Sequence, residues 1–89
     1  MGSPEIIAYL NPFCPWTPGV EAVLARYRLG YRLIDISRDH AGFDEMVQKS
    51  GQYSAPCVEI DGQMLADVGG DEVETWLRAL GFIPAQESS

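Results

Sequence analysis

Two short apolar runs with a helical repeat between them open the chain, and this arrangement constrains the fold more than any other feature. Residues 5–10, EIIAYL, are apolar almost throughout and stop at Asn11-Pro12, as a buried strand does. Val20, Val23, Leu24 and Tyr27 then recur at i, i+3, i+4 and i+7, one face of a helix, and Gly30 is expected to close it. Residues 31–36, YRLIDI, read as a second strand. A strand–helix–strand unit sets two parallel strands side by side with a right-handed crossover.

The remainder follows the same logic. Phe43, Met46 and Val47 repeat at helical spacing until Gly51. CVEI (57–60) and QML (63–65) flank Asp61-Gly62, the strongest short hairpin signal. Val73, Trp76, Leu77 and Leu80 mark a last helix closed by Gly81. The order β-α-β-α-β-β-α predicts an α/β fold, a four-stranded mixed sheet flanked by helices on both faces. With 89 residues the chain is expected to be a single domain with a core of about 5–82, its ends MGSP and PAQESS lying loose. No repeat or low-complexity tract interrupts it.

Charge narrows the function classes. Thirteen acidic residues against six basic ones leave a net charge of −7, which offers no footprint for a phosphate backbone or an anionic membrane surface. Neither nucleic acid nor membrane is therefore an expected partner. The opening MGSPEIIAYLNPF has no basic n-region, and Ile6 stands where a myristoylation start wants Ser or Thr. No stretch approaches the roughly 20 apolar residues of a membrane span. A soluble, cytoplasmic, monomeric protein is expected. Its two cysteines then read as free thiols, and with the lone His40 they make no zinc or iron–sulfur spacing within one chain.

One of those cysteines sits where chemistry is plausible. Cys14, in NPFCPWTPG, falls between the first strand and the first helix, and the N–H groups and dipole of a helix N-terminus favour thiolate over thiol. Pro15 suits a first helical position, whereas Pro18 is expected to distort the first turn. The Thr17 hydroxyl is expected to donate to the Cys14 sulfur, and Phe13 and Trp16 to wall a shallow pocket. The competing reading of this stretch is an inert half-buried cysteine among packed aromatics. A second feature is Ser54-Ala55-Pro56, set just before a strand, where proline marks a tight turn. A cis bond there, found at about 5–6% of such positions, would leave Ala55 presenting its backbone to an extended peptide.

Taken in order, CPWT before a helix, SAP opening a strand, DG in a hairpin and VGGDE opening the last helix make the chain resemble a glutaredoxin of the thioredoxin fold from residue 5 to about 82. The family's Cys-Pro-Tyr-Cys matches Cys14-Pro15-Trp16-Thr17, so the resemblance is to a monothiol variant. Its Thr-Val-Pro, with a cis proline, matches Ser54-Ala55-Pro56, and its Gly-Gly-Cys/Ser-Asp matches Gly69-Gly70-Asp71-Glu72. The resemblance implies a thiol–disulfide oxidoreductase with Cys14 as nucleophile and glutathione as co-substrate, acting on glutathionylated proteins or small disulfides. It implies that Ala55 pairs with the cysteinyl part of glutathione, and that Gly70, Asp71 and Glu72 take its γ-glutamyl end.

The chain departs from that pattern at several places. Asn11 replaces the usual lysine before the nucleophile, and Gln52 and Tyr53 stand where basic residues are expected. Asp67, Asp71, Glu72 and Glu74 make the third landmark acidic, the last three mainly as a complement to the helix dipole. Cys57 is expected on the opposite face of its strand from Cys14, unbridged. Lys49 is read as solvated, or as reaching a glutathione carboxylate, and His40 has no assigned role. Three alternatives stay open. One is an iron–sulfur carrier, two copies bridging a cluster through Cys14 and glutathione, against which the absence of Cys-Gly-Phe-Ser counts. The others are a glutathione-transferase-like N-terminal domain, with Asp67-Val68 near the γ-glutamyl site, and a redox-inactive adaptor.

Overall fold

The computed structural model describes residues 4–84. Seven elements follow in the expected order: β1 (Ile6–Leu10), α1 (Thr17–Arg26), β2 (Arg32–Asp35), α2 (His40–Ser50), β3 (Cys57–Ile60), β4 (Gln63–Leu65) and α3 (Gly70–Ala79). The four strands form one sheet in the order β2-β1-β3-β4. β1 is parallel to β2 and antiparallel to β3, which pairs antiparallel with β4.

A strand with neighbours on both sides and helices over both faces needs apolar residues on both faces, which is what EIIAYL supplies. Ile6, Ala8 and Leu10 turn to one face, where they meet Val20, Val23 and Leu24 of α1 and Val73 and Leu77 of α3. Tyr9 turns to the other, packing with Ile34, Met46 and Cys57 beneath α2. Val73 and Leu77 are fully buried, and burying such a side chain contributes roughly 1.5–3 kcal/mol. The hairpin matches its Asp-Gly signal: Asp61 and Gly62 both have positive φ, 49° and 87°, as a two-residue turn between twisted strands requires.

Helix ends agree with the sequence at α2 and α3 and disagree at α1. Gly51 and Gly81 take the left-handed conformation just past their helices. After α1 that role belongs to Arg28 (φ 55°), not Gly30. Arg28 N–H donates to Ala25 at 3.0 Å and Leu29 N–H to Leu24 at 2.9 Å, the paired bonds of a Schellman end. Leu29 thereby folds back onto the core, and this packing sets the stop two residues earlier than the glycine suggests. At the chain's end Ile83 is buried and Arg78 Nε donates to the Pro84 carbonyl at 3.2 Å, so Pro84 is held; residues 1–3 and 85–89 lie outside the described residues.

Two carboxylates hold elements together. Glu74 accepts from Tyr27 Oη at 2.5 Å and Arg78 at 3.0 Å, with Arg26 at 3.8 Å, joining the end of α1 to α3 rather than only complementing a dipole. On the other face Glu45 accepts from Tyr9 Oη, and Lys49 Nζ donates to Glu59 at 2.8 Å, Tyr9 Oη at 3.2 Å and Glu45 at 3.3 Å. Lys49 stays exposed, as expected of a solvated side chain, but its ammonium is engaged by these partners and does not point to a ligand. The tyrosine hydroxyls hold both carboxyls below their usual value of 4.5. Depressed carboxyls stabilise the fold above that value and cease to do so as they protonate. Urea midpoints are expected to fall from about pH 5 to about pH 3, and less steeply in Glu45→Gln/Glu74→Gln; parallel slopes in the two proteins would refute this.

Candidate active site

The loop that carries Cys14 is built on Asn11, the residue just after β1. Asn11 Oδ1 accepts from Phe13 N–H at 2.9 Å, a local turn of the kind asparagine favours. The Asn11 carbonyl accepts from Cys14 N–H at 2.9 Å and from the Thr17 hydroxyl at 2.7 Å. Thr17 is only 5% exposed, so its hydroxyl needs this partner. It is the loop's anchor and not a donor to sulfur. Thr17→Val is expected to cost about 1–2 kcal/mol and Thr17→Ser to recover most of it, read from urea midpoints; equal losses in both would contradict the bond.

The helix begins at Thr17, with Trp16 as N-cap. Pro18, not Pro15, lies in its first turn, where the missing N–H has no intrahelical partner to lose, so α1 starts undistorted. Cys14 sits in the bend before the helix, half-buried, with Sγ 3.6 Å from the Ala55 carbonyl oxygen.

The Ala55-Pro56 bond is cis, the geometry the family resemblance implies. The Pro56 carbonyl in turn accepts from Val68 N–H at 2.9 Å, which ties in the segment leading to α3. Gln52, read from sequence as a lost basic residue, organises the loop before Pro56. Its Oε1 accepts from Ser54 N–H at 2.6 Å, while Nε2 donates to the Ser54 carbonyl at 2.9 Å and lies 3.2 Å from Cys57 Sγ. A long amide two residues before a serine in a proline loop is the signal that could have revealed this.

Cys57 is fully buried on the α2 face, donates to the Ser54 carbonyl at 3.2 Å and is unbridged, as is Cys14. Burial pushes its thiol up, so the thiolate is disfavoured there. The two thiols are therefore unequal: one lies at the surface beside a backbone carbonyl, the other is packed and protonated.

Beside the cysteine loop runs an open groove of about 590 Å³ between the first turns of α1 and α3. Trp16, Gly19 and Val23 line one wall, and Asp67 through Glu72 the other. Trp16 is among the lining residues. Phe13, 84% exposed, is not among the lining residues. Glu72 Oε1 accepts from Gly69 N–H at 3.0 Å, so the anion at this helix start is the protein's own. Asp67, Asp71 and Glu72 line the groove, and none of the lining residues is basic.

The glutaredoxin family model matches residues 6–65, well over half of the chain. The chain belongs to the glutaredoxin family. A glutaredoxin from Brucella melitensis is 31% identical, with a TM-score of 0.62 over 90% of this chain and 85% of that one. Two further glutaredoxins are each 20% identical and share the fold. That from Archaeoglobus fulgidus has a TM-score of 0.70 over 86% of this chain and 89% of its own. That from buckwheat, solved in complex with glutathione, has 0.68 over 89% and 73%. No curated protein matches the chain. The sheet order and the helices on both faces are those of the thioredoxin-like fold. Within this glutaredoxin the family match takes in the Cys14 loop and Ala55-Pro56, and stops before α3 with its acidic start.

Proposed function

We propose that the protein is a glutathione-dependent thiol–disulfide oxidoreductase that works through Cys14 alone. What carries this reading is the contrast between the thiols: Cys14 lies at the surface against the Ala55 carbonyl, while Cys57 is buried with its thiol pushed up. Family membership and the glutathione held by the buckwheat protein support glutathione as co-substrate.

The chemistry then needs one protein thiol. Cys14 loses its proton, and the thiolate attacks the glutathionyl sulfur of a substrate mixed disulfide. A Cys14–glutathione disulfide forms, and the substrate leaves as a thiolate that takes up a proton. The thiolate of a second glutathione attacks that mixed disulfide, releasing glutathione disulfide and restoring Cys14. Two electrons pass from the incoming glutathione to the substrate. When Cys14 is in the mixed disulfide it no longer donates to Ala55, and that carbonyl can pair with the extended cysteinyl segment of glutathione. Residues Trp16, Pro56, Gly69 and Gly70 would wall the bound tripeptide. The test is turnover of a glutathionylated peptide with excess glutathione, together with mass detection of a glutathionyl group on Cys14. Absence of both would end the reading.

A further inference from the structure

We infer that Phe13 and Tyr53 are specificity-determining residues, an aromatic rim that selects mixed disulfides whose cysteine stands among apolar side chains of a polypeptide. This rests on the oxidoreductase reading and names the polypeptide half of its substrate. Among the described residues, the three most exposed large apolar side chains are Phe13, Tyr53 and Trp16, at 84%, 74% and 64%. All three sit in the two loops that meet at Cys14. Phe13 directly precedes it and Trp16 lies two residues on, while Tyr53 stands two residues before Ala55, whose carbonyl the sulfur contacts. Trp16 lines the groove and is covered once the tripeptide is seated there. Phe13 and Tyr53 do not line it, so they stay in water when glutathione is bound.

The groove and Tyr53 belong to opposite faces of the sheet. The groove runs between α1 and α3, which cover the face of Ile6, Ala8 and Leu10. Tyr53 stacks on Phe43 of α2, ring centroids 6.4 Å apart and planes 23° from parallel, and Phe43 packs on the Tyr9 and Cys57 side. In the mixed disulfide one S–S bond joins the glutathionyl part to the polypeptide. With the first in the groove, the second has to pass over the rim that the groove leaves open. Hydrogen-bonded turns hold both aromatics out on that rim: Phe13 N–H donates to Asn11 Oδ1 at 2.9 Å, and the Gln52 amide binds both the N–H and the carbonyl of Ser54. Fixed aromatics in water beside a reacting group have the character of a contact surface, and neither ring carries charge, so apolar area is what they recognise. The selection acts on the first step, the approach of the substrate disulfide to the Cys14 thiolate.

Two glutathionylated peptides, identical except for leucines or serines flanking the cysteine, provide the test. The leucine peptide is expected to have a kcat/KM about tenfold higher, as partial burial of two aromatic rings gives. The ratio should persist near molar salt, because apolar burial is not screened. Phe13→Ala/Tyr53→Ala is expected to bring the ratio close to unity, and Phe13→Tyr/Tyr53→Phe, which keeps both rings, to retain it. Leu33→Ala, which removes exposed apolar surface from the edge strand β2, is expected to retain it as well. A parallel arm titrates the Cys14→Ser protein with the two peptides, their cysteines alkylated, following the Phe13 and Tyr53 amides by NMR. Turnover without a leucine preference, or a preference untouched by Phe13→Ala/Tyr53→Ala, overturns the inference and leaves the oxidoreductase reading standing. No turnover but tighter binding of the leucine peptide at Phe13 and Tyr53 overturns the oxidoreductase reading and keeps apolar selection. Neither turnover nor binding overturns both.

Discussion

Cys14→Ser is expected to bring turnover of a glutathionylated peptide down to the uncatalysed rate, while Cys57→Ser retains most of it. Serine nearly keeps the size of the side chain, and all it gives up is a long sulfur contact with the Ala55 carbonyl at 3.6 Å, so the fold should survive. What is lost is the accessible thiolate, since a serine hydroxyl without an adjacent base is a poor nucleophile at neutral pH. At position 57 the sulfur contributes packing and one hydrogen bond to the Ser54 carbonyl, which a hydroxyl can also make. Burying that hydroxyl among Tyr9, Ile34 and Met46 should lower the melting temperature without removing a reacting group. Steady-state rates and the position of the trapped glutathionyl group read the two effects separately. Persisting turnover in Cys14→Ser, or its loss in Cys57→Ser with the fold intact, would transfer the chemistry to the wrong sulfur and sink the proposed mechanism.

Gly70→Ala is expected to be the most damaging small change outside the sheet. A Cβ at this position would lie 2.4 Å from the Gly19 carbonyl oxygen and 2.7 Å from its carbon. Both are backbone atoms in the first turn of α1, so no side chain can swing aside. The start of α3 must move off α1, and overpacking of this kind costs about 1–3 kcal/mol. For a domain of this size each kcal/mol corresponds to roughly 4–8 °C, so a drop on the order of 10 °C is expected in a melting experiment. The same contact is lenient from the other side: a Cβ on Gly19 would stand 3.7 Å from Gly70 N, an ordinary distance. Gly19→Ala, and Gly30→Ala with nothing within 4 Å, are therefore expected to be mild. An unchanged melting temperature in Gly70→Ala would mean that the helices are not in backbone contact. The shift should also widen the groove, because Gly19 and Gly70 line its opposite walls.

Much of this was legible in the chain. Elements with strict periods and their own punctuation, such as EIIAYL, the Asp61-Gly62 turn and the glycine stops after α2 and α3, announce themselves because local backbone preference and core packing agree there. The order of elements, the parallel pair and the placing of helices on both faces followed from these. So did Cys14 as the residue to watch, since its position before a helix is a matter of sequence alone. Other features depend on partners far along the chain. Nothing near Thr17 in sequence shows that its hydroxyl turns back to Asn11, because burial of that side chain decides it. Lys49 reads as a free helix-end charge until β3 brings Glu59 within 2.8 Å. Arg28 takes the left-handed position ahead of Gly30 because docking Leu29 onto the core outweighs a residue's intrinsic reluctance to adopt it. The unequal fate of the two cysteines is of the same kind. The sequence presents two thiols and one promising location, but only the packed sheet buries one and leaves the other beside a carbonyl and an acidic groove, because burial and field are properties of the assembled chain.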